Sequence, residues 1–253
     1  MSQHLRRTAL VACGTAALLG LTACSSGAAH TSAAPASAAA SSAASSAASP
    51  ASSPSPTGGT AGLPNGNKLN ALLLPASALP QNLKLDPSGT QSTGDGFNPP
   101  IAPSPVAPPK ACDMLRQTNW TDSAGANYAS FAQNDYTDDA QDMFAQDVSS
   151  YRGNDAITMM ATLKQNLTAC HTFPTTVNGQ TYTETVTLKP LTGLGDEAVE
   201  AVITSPNLDG GTTLVAARVG GIVVSTLDND QRNTGTAGVA LTETLVKNVA
   251  AAH

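Results

Sequence analysis

The chain has 253 residues and a formal net charge of −6, with only 12% charged and 4% aromatic side chains. Loss of Arg6 and Arg7 with an N-terminal leader takes away two positive charges and leaves −8. An acidic surface argues against nucleic acid and anionic lipid headgroups as partners, because both require a counter-charged face.

Arg6 and Arg7 precede an apolar run from Ala9 to Leu21. That run is shorter than the roughly 20 helical residues needed to cross a bilayer, and a short apolar run behind a positive start reads as a signal peptide, residues 1–23. It ends in Leu21-Thr22-Ala23-Cys24, which looks like the bacterial lipobox. The small Thr22 and Ala23 admit the backbone to a signal peptidase that cuts before Cys24, whose sulfur carries a diacylglyceryl group. Cys24 is thus the expected lipid attachment residue. Two or more acyl chains anchor stably where one does not. The expected location is the outer face of the cytoplasmic membrane, facing the cell wall. The competing reading is an ordinary secretory signal with a chance cysteine. Thr8-Ala9-Leu10 matches twin-arginine export poorly, so Sec export is expected.

Residues 24–67 form the next unit. From Ser25 to Asn67 there is no Asp, Glu, Lys or Arg, and almost every residue is Ala, Ser, Pro, Gly or Thr. Such a stretch has too little to bury to offset the entropy of ordering. It is read as a disordered tether with a root-mean-square span of roughly 35–40 Å. Residues 68–253 are then long enough for one domain with its own core.

The domain opens on Leu69–Leu74, stopped by Pro75, with Asn82–Asp86 as a brief strand and Pro87–Lys110 as a long loop. A short helix is predicted over Cys112–Gln117, ending before Trp120. Strands are predicted over Asn127–Asn134 and Met143–Tyr151, around an acidic tip from Asp135 to Asp142. Asn154 or Asp155 caps a helix whose stripe is Ile157, Met160, Ala161, Leu163, Leu167 and Cys170. Asn178-Gly179 is a hairpin signal, since a type I′ turn needs positive φ at both central residues. Thr181–Leu188 alternates, and Ala198–Thr204 places Val199, Ala201 and Ile203 inward. Thr212–Val219 and Ile222–Leu227 flank a Gly220-Gly221 turn. A last helix from Thr236 to Ala250 presents Val239, Leu245, Val246 and Val249. Consecutive hairpins imply an antiparallel meander, so the expected class is α+β: a β-sheet meander with two main helices packed on one face, and one disulfide.

Beyond Cys24 the mature chain holds Cys112 and Cys170. An even count in an exported domain reads as a disulfide. The alternatives, a metal pair or a reactive thiol, find no Cys-x-x-Cys spacing and only His171 as a nearby histidine. Catalysis needs a base within reach of a nucleophile, and no Gly-x-Ser-x-Gly elbow, phosphate loop or zinc spacing is present. No catalytic residue, metal ligand or cofactor is assigned, and the chain is read as a non-enzyme. Glu184, a carboxylate in the apolar row of its strand, is the one opening for an unrecognised hydrolase. The acidic tip lacks the glycine of an EF-hand loop and is read as a solvated turn, as is Asp228-Asn229-Asp230. Glu200 and Arg218 are expected as diagonal cross-strand neighbours. Trp120 is expected to pack under a sheet edge.

Leu73-Leu74-Pro75 with Ala78-Leu79-Pro80, Cys112 before Trp120, Tyr151-Arg152-Gly153, Cys170, and Gly193-Leu194-Gly195-Asp196-Glu197-Ala198 together resemble the extracellular sensor domain of PknH-type actinobacterial serine/threonine kinases and the free-standing lipoproteins that share it. The resemblance runs from about Leu72 to Ala250. It implies an antiparallel sheet with helices packed on it, a cleft between them, and a small ligand bound outside the cell. The resemblance implies a sensor domain held by two disulfides, whereas Cys112–Cys170 is the single one available here. With no kinase domain or membrane-spanning helix in the sequence, any signal is expected to pass through a separate membrane partner. The resulting expectation is a lipid-anchored binding or sensing module for a small ligand. The alternative is an envelope accessory protein that docks a membrane or wall protein. Ligand-contacting residues are not legible.

Overall fold

The computed structural model describes residues 59–80, 82–206, 211–230 and 236–252. The leader, Cys24 and the tether up to residue 58 lie outside the described residues. Eight strands form one antiparallel sheet: β1 (Lys84–Ser92), β2 (Ser130–Thr137), β3 (Met143–Ser150), β4 (Thr172–Val177), β5 (Gln180–Lys189), β6 (Glu197–Thr204), β7 (Gly211–Val219) and β8 (Ile222–Asp230). Four α-helices accompany them: α1 (Gly66–Asn70), α2 (Pro108–Met114), α3 (Asp155–Ala169) and α4 (Thr236–Ala251).

The spatial order is β1-β2-β3-β8-β7-β6-β5-β4. Two meanders therefore meet at their ends. After β3, helix α3 carries the chain to the far edge, and five strands walk back until β8 pairs with β3 along its whole length, Met143 opposite Asn229 through Ser150 opposite Ile222. The Asn178-Gly179 turn has φ of 52° and 78°, as a type I′ hairpin requires.

The two long helices lie on opposite faces of the sheet, which corrects the expectation of two helices on one face. Met159, Met160, Leu163 and Leu167 of α3 pack with Val199, Ala201, Ile203, Leu214, Ala216, Val223 and Leu227. Leu245, Val246 and Val249 of α4 pack with Val215, Ala217, Ile222 and Val224 on the other side. The physical reason is visible in β7 and β8. Leu214-Val215-Ala216-Ala217 and Ile222-Val223-Val224 are continuous apolar runs, and a strand that is apolar on both faces needs a cover on both.

Smaller expectations also shift. Strand β1 continues past Pro87 to Ser92, with a register break against β2 between Asp86 and Gln91. The break is held by Asp86, whose Oδ1 accepts from the Ser88 amide at 2.9 Å and the Ser88 hydroxyl at 2.7 Å. Pro87 is tolerated because β1 is an edge strand, as Pro174 is in β4 at the other edge. Ile157 is 50% exposed and Met159 takes its place on the buried stripe of α3. The Asn154 side chain makes no capping bond. The helix predicted over Cys112–Gln117 runs instead over Pro108–Met114, started by the proline pair.

On the α4 face the Leu73-Leu74 segment is fastened by Gln146 of β3, which accepts from the Leu74 amide at 2.8 Å and donates to the Leu74 carbonyl at 2.9 Å. The packed chain starts upstream of it, with Asn65 capping α1 and the Pro64 carbonyl accepting from Ser130. On the α3 face, Cys112 and Cys170 form a disulfide with Cα atoms 5.4 Å apart, tying α2 to the end of α3. Trp120, fully buried, packs in the same core.

The disulfide closes a loop of 58 residues, a constraint that stabilises by about 4 kcal/mol in the chain-entropy treatment. Reduction, or the Cys112→Ala/Cys170→Ala pair, is expected to lower the melting temperature by roughly 10 °C. The emission of the sole tryptophan, Trp120, reports the transition.

Candidate functional site

Helix α3 covers the β5–β7 part of its face. The β1–β3 part of that face is roofed by irregular chain, including the 3₁₀ turn Trp120–Ala124. Beneath this roof the strand register sets out a polar row. Gln91 of β1 lies opposite Gln133 of β2, Gln133 opposite Asp147 of β3, and Asp147 opposite Ser225 of β8. Phe131 and Ser149 form the next rung. These residues, with Thr118, Asn119, Thr121, Asp122 and Tyr128 from the roof, line a cavity of about 150 Å³.

Two carboxylates, Asp122 and Asp147, line the cavity, and a third, Asp135, adjoins its Gln133 wall. Asp147 is buried, and the Ser149 hydroxyl donates to its Oδ1 at 2.7 Å. Burial pushes its carboxyl up to about 7; the Ser149 hydrogen bond opposes this and the charges of Asp122 and Asp135 add to it. Asp122 is also raised by burial, against a hydrogen bond from the Asn119 amide at 2.7 Å. Asp135 is raised by burial, with Gln133 and Thr118 opposing. Gln133 Nε2 donates to Asp135 Oδ1 at 2.9 Å and to the Thr118 hydroxyl at 3.0 Å. A Cβ at Gly89 would run into the Asp135 carboxylate, so only glycine fits beside it. Burial and the same acids push the Tyr128 hydroxyl up to about 12, which keeps it a neutral phenol. The Tyr128 and Phe131 rings meet at 5.0 Å and 55°, forming an aromatic corner.

The acids at this cavity differ from three glutamates elsewhere on the sheet. Glu184, Glu197 and Glu200 each face a cation: Arg116 at 3.1 Å, Lys164 and Arg218 at 2.7 and 2.8 Å, and Lys189 at 3.0 Å. Asp122, Asp135 and Asp147 have neutral hydrogen-bond donors only. Among the described residues, no three His, Cys, Asp or Glu side chains are grouped to hold a metal ion. The cavity is therefore an acidic, neutral-donor pocket with an aromatic wall, suited to a small polar ligand.

The sequence-predicted residues fall as follows. Cys112 and Cys170 are joined. The acidic tip is divided: Asp135 is buried beside the cavity and held by Gln133, while Asp138 caps the turn, accepting from the Ala140 and Asp142 amides. Glu184 is buried in the apolar row beside Arg116, which also donates to Thr175. Its Oε2 has no partner, and burial raises its carboxyl despite Arg116. His171 is exposed. Glu200 and Arg218 do not meet, because Glu200 pairs across from Val215 and Arg218 from Glu197. Arg218 instead holds Asp196 and Glu197, at 2.8 Å each. Sequence reasoning missed Asp122, Tyr128, Gln133 and Asp147. The available signal was the pair of polar residues at alternate positions, Gln133 with Asp135 in β2 and Asp147 with Ser149 in β3.

The fold is similar to that in the crystal structure of the extracellular domain of PknH from Mycobacterium tuberculosis, with a TM-score of 0.53 at 14% sequence identity, covering 74% of this chain and 97% of that one. No protein-family model matches the sequence. No curated protein sequence matches it either.

Asp147 binds a proton in the native state up to pH 7, whereas an ordinary Asp releases it near 3.8. Between these values the unfolded chain holds fewer protons than the native one, so stability is present at low pH and falls as pH rises through the window. Urea unfolding of Asp147→Asn is expected to show a flatter pH dependence from pH 4 to 8 and a higher midpoint than wild type at pH 8.

Proposed function

We propose that the chain is a lipid-anchored extracytoplasmic sensing module that binds a small ligand in the cavity over β2 and β3. The observation that carries this reading is the buried pair Gln133 and Asp147, which with the exposed Gln91 at the sheet edge lines a cavity instead of being packed shut. Burying such groups costs free energy unless they are satisfied, and a ligand is what would satisfy them. The lipobox ending at Cys24 and the charge-free tether support placement at the outer membrane face. The likeness in fold to an extracellular domain agrees with that placement.

Binding is favoured over catalysis because no histidine or lysine lines the cavity, and the hydroxyl on Asp147, Ser149 Oγ, is itself buried. A second reading, docking of an envelope protein, draws on a groove of about 410 Å³ between the proline-rich chain at 101–107 and residues 125–127, with Ile101 57% exposed beside it.

Two measurements test the proposal. Intact-mass analysis of the protein expressed with its leader should show a chain starting at Cys24 with added acyl mass, and Cys24→Ser should be shed from the membrane. A thermal-shift screen of small envelope metabolites should find one that stabilises the wild type and not Gln133→Leu; at a hundred times its Kd the gain is about 2.7 kcal/mol. A ligand whose effect survives Gln133→Leu would move the site elsewhere, and cross-links concentrated at Ile101 would favour docking.

A further inference from the structure

Resting on that reading, we infer that the ligand presents a protonated aliphatic amine to Asp147, with Asp122 and Asp135 around it and the Tyr128–Phe131 corner against its carbon chain. The charge arrangement leads there first. Asp122 and Asp147 line one small cavity that has no Lys or Arg among its lining residues, and Asp135 adjoins it behind Gln133, while Glu184, Glu197 and Glu200 each have a cation. A buried carboxylate without a counter-charge is costly, and one that faces a cavity takes its counter-charge from whatever enters.

Asp147 supplies the second, independent observation. It is 8% exposed and lines the cavity, yet only its Oδ1 is engaged, by Ser149. Its other oxygen receives no hydrogen bond from the described residues. The groups facing it are Gln133 and Asp135 on β2, Ser225 on β8, Asp122 on the 3₁₀ turn, and the phenols of Tyr128 and Tyr151. None of them carries a positive charge.

The class of cation follows from the remaining walls. A hard divalent ion takes six or more oxygens at short range, and these three acids are not grouped to hold one. Aromatic faces attract organic ammonium groups, and Tyr128 and Phe131 both border the cavity. A space of about 150 Å³ is of the size that holds a benzene molecule, on the order of six heavy atoms. That admits a short alkylamine, or the amine end of a larger molecule.

The test is isothermal titration of the full mature lipoprotein in detergent with 1,4-diaminobutane, with its neutral analogue 1,4-butanediol, and with Ca²⁺. The diamine should bind at pH 8 more tightly than about 1 mM, and the diol and Ca²⁺ should give no heat. Acidification to pH 5 should weaken the diamine by about 100-fold, because a proton then competes for Asp147 while the amine stays charged. Asp147→Asn should weaken it at least tenfold, and Asp122→Asn, at a partly exposed position, provides a second variant should the first disturb folding. Equal binding of diamine and diol, no diamine binding, unchanged binding in both variants, or Ca²⁺ binding lost in Asp147→Asn would each overturn the inference. A neutral or anionic metabolite that depends on Gln133 would overturn it too, while leaving the sensing role intact.

Discussion

The pairing of β3 with β8 is the constraint on which the molecule depends. It joins a three-stranded meander to a five-stranded one, and it places the two strands with the fullest burial at the centre of the sheet. Because both faces of those strands are covered, their side chains must be small where a helix approaches. Ala145 of β3 and Ser225 of β8 are small on the α3 face, as are Ala201 of β6 and Ala216 of β7, and on the α4 face Ala132 of β2 and Ala217 of β7 are small too. Close approach then permits polar contacts inside the layers, such as the Thr226–Thr242 hydroxyl pair at 2.6 Å between β8 and α4. The disulfide acts at the periphery of this arrangement, where α2 has little apolar surface of its own to hold it.

The same geometry creates the site. One crossover helix cannot cover an eight-stranded face, since a helix is about 10 Å wide and strands lie about 4.8 Å apart. Helix α3 therefore leaves the β1–β3 end to a loop, and a loop roof brings backbone polar groups and side chains that favour polar partners below it. Gln91, Gln133, Asp147 and Ser149 are what the sheet offers there. The site is thus the place where the sheet outruns its helix. Its acids oppose folding at neutral pH, a cost that apolar residues at the same positions would avoid.

Legibility from sequence followed the same division. The Asn178-Gly179 turn, the alternation in β5, the inward set Val199, Ala201 and Ile203, and the Cys112–Cys170 bridge all rest on local chemistry, and each stands where local chemistry puts it. The placement of α4 depends on how two meanders join, which no window of neighbouring residues contains. Pro87 stopped the predicted first strand because an edge position and a bulge, both tertiary facts, are what make it tolerable. Asp147 was passed over for a related reason: along the chain it is one polar residue in a strand, and only the register with Gln133 and Gln91 shows that three strands contribute to one row.

Of the motifs that carry the resemblance to sensor domains, Tyr151 lies near Asp147 and Trp120 sits in the roof, and the others act on the frame. Leu74 is clasped by Gln146, and the Arg152 guanidinium donates to the Asn98 carbonyl and anchors the loop at 98. Gly195 has positive φ and no room for a Cβ against the Arg218 carbonyl, while Asp196 and Glu197 bind the Arg218 side chain. Such residues fix where the strands turn and how the loops are seated. They set the dimensions of the cavity but contribute none of the carboxylates in it. Frame and site chemistry are therefore separable in this protein: these residues hold the sheet and its loops, and the acidity of the cavity comes from Asp122 and Asp147, with Asp135 beside them, which the frame does not require.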